Sequence, residues 1–73
     1  MTIEEFQEEM LDVLNREEDV DLDAKLSDVE EWDSVASVAF LAMAAEYTER
    51  RIRAAEVFDA VTVRDLYNII IKE

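Results

Sequence analysis

Apolar residues near the start of the chain recur at Ile3, Phe6, Met10, Val13 and Leu14, the spacing of one helix face. Thr2 and Glu5 stand at capping-box spacing, and Met1 and Phe6 are placed as a hydrophobic staple. The pattern predicts a helix that fades near Asn15. From Arg16 to Asp33 the periodicity is lost, and isolated apolar residues remain at Val20, Leu22, Leu26, Val29 and Trp32. This predicts a long loop laid across the core and pinned by those side chains, with Trp32 as an anchor. A structureless loop of such length is uncommon in a small domain and is often functional. A second helix is expected from Ser34 to about Thr48. It carries no charge until Glu46, and Val35, Val38, Phe40, Leu41, Met43 and Tyr47 spread over more than one face. Such a helix is either central or leaves an apolar strip exposed.

A short helical turn is expected from Ala54 to Asp59. The last helix should begin with Thr62 as N-cap, Asp65 at the third position, and Val61 and Leu66 as a staple. Leu66, Ile69 and Ile70 supply its core face, with Tyr67 beside them. The chain has no glycine and no proline, so helix interiors run unbroken while turns lose their usual punctuation. These elements predict an all-α fold: an irregular four-helix bundle with three main helices, one short helix and a long first loop. Residues 1–73 are expected to form one domain, without repeats or a linker.

Composition narrows the chemistry. A domain of 73 residues buries only about 60% of its unfolded surface, so its core is small. Without cysteine or histidine it has no disulfide, no thiolate ligand and no imidazole base. Twenty acidic residues against seven basic ones give a net charge of −13. That argues against nucleic acid and anionic membranes, and favours a protein partner with a basic surface. The acidic N-terminus has no apolar segment of the signal-peptide kind, and no run is long enough to span a bilayer. A cytoplasmic monomer is expected.

Against that background Ser34 stands out. Asp33 is a good N-cap, which puts Ser34 at the first helical position beside the positive end of the helix dipole. With no histidine to activate it, Ser34 is no hydrolase nucleophile. It can serve as an attachment point, which needs only an exposed hydroxyl that another enzyme can reach. Free N–H groups at the helix start would stabilise a phosphodiester there.

The segment Trp32-Asp33-Ser34-Val35 resembles the Trp-Asp-Ser-Leu signature of discrete bacterial acyl carrier proteins. The likeness extends to the acidic first helix, to Leu26 in the long loop, and to Val61-Thr62-Val63-Arg64-Asp65-Leu66, which is similar to the family's Thr-Val-x-Asp segment. The resemblance implies 4′-phosphopantetheine on Ser34, transferred from coenzyme A by a phosphopantetheinyl transferase. It implies a non-catalytic carrier that holds acyl groups as thioesters and presents them to acyl-transferring or acyl-activating enzymes, as in fatty acid or polyketide biosynthesis. Where many carriers have acids two and five positions after the serine, this chain has Ala36 and Ala39. Glu30, Glu31 and Asp33 are then expected to supply docking charge. Val35, Val38, Ala39 and Met43 are expected to offer the apolar surface or channel that meets the arm, cargo or partner. The family's glycine after this helix is missing, with Thr48 near its place. Arg50, Arg51 and Arg53 are unusual in so acidic a family and are expected to pair with nearby acids rather than form an anion site.

A second motif competes. From Asp19 to Glu30 the chain resembles an EF-hand calcium loop, with Asp19, Asp21 and Asp23 at the first, third and fifth positions and Glu30 at the twelfth. The sixth position, which should be glycine, is Ala24. A calcium-binding helical interaction module therefore stands as the alternative, with weak cation binding by the loop as its milder form. An unmodified helical adaptor docking through the second helix is the third reading.

Overall fold

Each long helix begins where a short side chain can satisfy its first free N–H groups. The computed structural model describes residues 1–72. In it the chain forms α1 (Ile3–Leu14), a 3₁₀ turn (Leu26–Asp28), α2 (Ser34–Ala44), α3 (Ala54–Asp59) and α4 (Val63–Ile71). Thr2 and Glu5 close a capping box on α1, and Thr62 and Asp65 close one on α4. Asp33 accepts the Ala36 N–H at 2.9 Å to open α2. The bundle is all-α, as the hydrophobic pattern predicts. α1 ends at Asn15, whose φ of 52° is the one left-handed backbone among the described residues. Asparagine tolerates that conformation better than most residues.

The core gathers Phe6, Met10 and Leu14 from α1 with Ala36, Phe40, Met43 and Ala44 from α2. Val57 of α3 and Val63, Leu66 and Ile70 of α4 close it, and Ile69 is half-buried against it. The Tyr67 ring lies 5.2 Å from Phe6, and its hydroxyl donates to the Met1 carbonyl at 3.3 Å, joining the two ends of the chain. Met1 packs against the core as a staple should. Val61 does not: it stays 59% exposed, so Leu66 is buried without it.

One boundary differs from the expectation. α2 stops at Ala44, not Thr48. The N–H groups of Glu46 and Tyr47 bond back to Met43 and Ala44, three residues earlier, which tightens the chain into a turn. The Tyr47 hydroxyl donates to Glu9 at 3.1 Å, tying this turn to α1. That bond, with the neighbouring carboxylate charges, holds the phenol above its ordinary pKa. The cap residue Ala45 is right-handed, so no glycine is required there.

The loop from 16 to 33 is also more ordered than a bare connection. Val20, Leu26 and Val29 are buried, and Leu22 and Trp32 are half-buried against the core. Its middle pairs with the entry to α4: the Leu26 N–H donates to Val61, the Val63 N–H to Ala24 and the Arg64 N–H to Leu22. Lys25 and Thr62 form an isolated antiparallel bridge. These bonds fix the loop against the entry to α4.

Asp65 anchors that junction. Its carboxylate accepts the N–H groups of Val61 and Thr62, both at 3.0 Å, which holds its pKa below the ordinary 3.8. A carboxylate depressed in the folded state adds stability above its unfolded pKa, and loses it as pH falls through the folded value. Asp65→Ala removes the acceptor of two backbone N–H groups at the start of α4, a loss comparable to that of a helix cap at about 1 kcal/mol, and is expected to lower the melting midpoint at pH 7 by about 4–8 °C in a domain of this size. The gap to the wild type should narrow as pH drops below 3.8. Thermal unfolding followed by circular dichroism at pH 7, 4 and 3 checks this; a gap that stays constant would refute it.

Candidate functional site

Ser34 lies at the first position of α2 with its side chain exposed. Its local geometry is set from both sides. Asp33 is extended, and its carboxylate is committed to the Ala36 N–H while its carbonyl accepts the Ser37 N–H at 3.0 Å. The Ser37 hydroxyl is buried and donates to the Ser34 carbonyl at 2.8 Å. The backbone carrying the Ser34 hydroxyl is thus held by a bond from three residues downstream. Among the described residues the N–H groups of Ser34 and Val35 have no protein acceptor. A group esterified to the hydroxyl would meet these donors and the positive end of the helix dipole.

Below the serine, Trp32 packs edge-on against Phe40 with ring centroids 6.2 Å apart. This contact anchors the residue just before the cap. Glu30 is exposed; Glu31 is half-buried and pairs with Arg16 at 3.6 Å. Arg16 also donates through Nε to the Glu18 carbonyl at 2.8 Å, which steadies the loop on its acidic side.

Along α2, Val35 and Val38 are 75% and 66% exposed, Ala39 is half-buried and Ala42 is exposed. An uncharged apolar strip therefore runs down the helix from Ser34. Met43 is not part of it: at 6% exposure it belongs to the core. Phe58 of α3 is a further exposed apolar side chain, at 75%, which the pattern of that short helix did not single out. Ser37 was also missed, although a lone serine three residues into an apolar helix is the signal for such back-bonding.

The acids of the calcium-like loop are not gathered into one cluster. No three carboxylates come together around a possible cation site among the described residues. The Asp21 side chain accepts the Asp23 N–H at 2.9 Å, and Asp23 pairs with Arg64 at 3.1 Å. Ala24 and Leu26 are tied by backbone hydrogen bonds to the α4 entry. Asp19, Asp21 and Glu30 line one acidic groove without forming a cluster fit to hold a cation, and Asp23 lies outside it.

The arginines divide. Arg50 pairs with Glu56 at 2.9 Å and donates to the Ile69 carbonyl at 2.8 Å, linking the bend before α3 to α4. The Glu56 pKa is lowered, first by the Arg53 N–H it accepts and then by Arg50. Arg51 and Arg53 make no salt bridge among the described residues, contrary to the expected pairing.

None of the described helices is long and apolar enough to cross a membrane. A family model described as a phosphopantetheine attachment site matches residues 4–70. No curated protein and no solved structure gives a match.

Proposed function

The chain belongs to the phosphopantetheine attachment site family, the acyl-carrier-like domains, and on that premise we propose that Ser34 is its attachment residue. Members carry a covalent 4′-phosphopantetheine, which supplies a flexible arm ending in a thiol that holds acyl groups as thioesters. They are carriers and not catalysts, served by a phosphopantetheinyl transferase and by acyl-handling enzymes. The observation that carries the reading is the exposed Ser34 hydroxyl at a helix start whose first N–H groups have no other acceptor. Asp33 shapes that start by capping α2. The missing thiol and the missing base agree with a residue that is acted upon.

Residues 1–73 act in this reading as one carrier domain, loaded in the cytoplasm from coenzyme A. Glu30 and Glu31 flank the serine on one side, and Val35, Val38 and Ala39 follow it on the other. The partner surface that complements this is apolar with a basic rim at the Trp32 end. Met43 contributes from inside, by supporting the helix.

Incubation with coenzyme A and a broad-specificity phosphopantetheinyl transferase, followed by intact-mass measurement, tests the assignment. The wild type should gain the mass of one phosphopantetheine group and Ser34→Ala should gain none. An unmodified wild type, or an equal gain in the variant, would sink it.

A further inference from the structure

Four of the seven cations of this acidic chain, Arg50, Arg51, Arg53 and Lys72, line one cleft of about 480 Å³ between α3 and the end of α4. Two carboxylates, Glu56 and Asp59, face them, and Glu56 is already bound by Arg50. Arg51 and Arg53 are exposed and make no ion pair among the described residues, although twenty acids are present in the chain. Arg50 is already committed to Glu56 and to the Ile69 carbonyl, so the free guanidinium groups of the cleft, among the described residues, are those of Arg51 and Arg53.

The cleft adjoins an apolar trough. Leu41, Ala45 and Ile52 wall a cavity of about 530 Å³ whose rim also carries Glu49, and Arg50 and Arg51 line this cavity as well as the basic cleft. Ser34, Val38, Leu41 and Ala45 fall at i, i+4, i+7 and i+11, one line down α2 and just beyond it. From Ser34 to Ala45 that line is about 16 Å long at the helical rise, within reach of an extended phosphopantetheine chain. A tethered group that follows the line passes apolar surface first and arginines last.

Resting on the reading of Ser34 as the attachment residue, we propose that Arg51 and Arg53 bind the free end of the cargo, and that this end is a carboxylate. The cargo class is thus a dicarboxylic acid held as a half-thioester. The net charge of the chain opposes large polyanions at long range, whereas a single carboxylate on a tether is delivered at high local concentration. Arginine suits the task because its planar fork matches a carboxylate with two parallel hydrogen bonds.

The test loads the whole protein with succinyl- or butyryl-phosphopantetheine, using the corresponding coenzyme A thioesters and a broad-specificity transferase. Intact mass reports loading, and amide chemical shifts report contact. The succinyl form is expected to shift the amides of residues 49–54 relative to the butyryl form. Arg51→Gln/Arg53→Gln should abolish that difference. Free succinate at the protein's concentration should leave these amides unmoved. Loaded forms with the same spectrum over 49–54 would overturn this inference alone. So would a difference that survives the double substitution, or equal shifts from free succinate. If neither form gains mass, the reading of Ser34 fails and this one falls with it.

Discussion

Phe40→Ala is expected to unfold a large fraction of the protein under conditions in which the wild type is folded. Phe40 is fully buried at the middle of α2, with the Trp32 ring against its edge. Truncating a buried phenylalanine costs about 3–5 kcal/mol, through lost transfer energy and the cavity left behind. A domain of this length has a total stability of about 4–11 kcal/mol, so the loss takes up much of it or all of it. The lost aromatic pair adds about 0.5–1.5 kcal/mol to the effect. Val35→Ala, one and a half turns earlier on the same helix, removes apolar atoms that already face water and should change stability by less than about 0.5 kcal/mol. Urea titration followed by circular dichroism compares the two. A Phe40→Ala midpoint within error of Val35→Ala would show that α2 does not organise the core.

The contrast between these two positions marks how far the site was legible in the sequence. Local chemistry was readable. Thr2 with Glu5 and Thr62 with Asp65 announce helix starts because both partners lie within one turn. Asp33 announces α2 in the same way, and with it the placement of Ser34. The sides of α2 were not readable. Its residues are apolar all the way round, so periodicity cannot tell Met43, which is buried, from Val38, which is exposed. The end of α2 was also hidden, since no glycine or proline marks it and Tyr47 fixes it through Glu9, 38 residues away. The ordering of the acidic loop has the same origin: its hydrogen bonds go to residues 61–64, and sequence spacing carries no record of them.

Raising ionic strength from about 10 mM to 100 mM is expected to raise the melting midpoint, because the Debye length falls from about 30 Å to about 10 Å. The molecule measures 28 × 23 × 20 Å, so at the lower salt nearly every pair of charges interacts, and at the higher salt only neighbours do. The opposing effect is small. Salt also weakens the exposed ion pair Arg64–Asp23, which contributes only about 0–1 kcal/mol, while the partly buried pairs Arg16–Glu31 and Arg50–Glu56 are screened less. With a net charge of −13, relief of repulsion dominates. A relief of 1 kcal/mol corresponds to a rise of about 4–8 °C in a domain of this size.

Millimolar Mg²⁺ should act in the same direction and more strongly than an equal concentration of Na⁺, because a divalent ion screens more at a given concentration. The geometry of the acidic loop sharpens that expectation. Asp23 is committed to Arg64 and the Asp21 carboxylate to a backbone N–H, so there is no shaped cage to favour one cation by size. Ca²⁺ and Mg²⁺ should therefore raise the midpoint equally, and Asp19→Asn/Asp21→Asn should change the response only by the two charges removed. Thermal scans in matched NaCl, MgCl₂ and CaCl₂ decide the matter. A rise seen with Ca²⁺ at micromolar concentration and not with Mg²⁺ would mean that the loop rearranges to bind an ion, and would favour the calcium reading. A midpoint that falls or stays level in all three salts would mean that this fold spaces its acids well enough for repulsion to cost little.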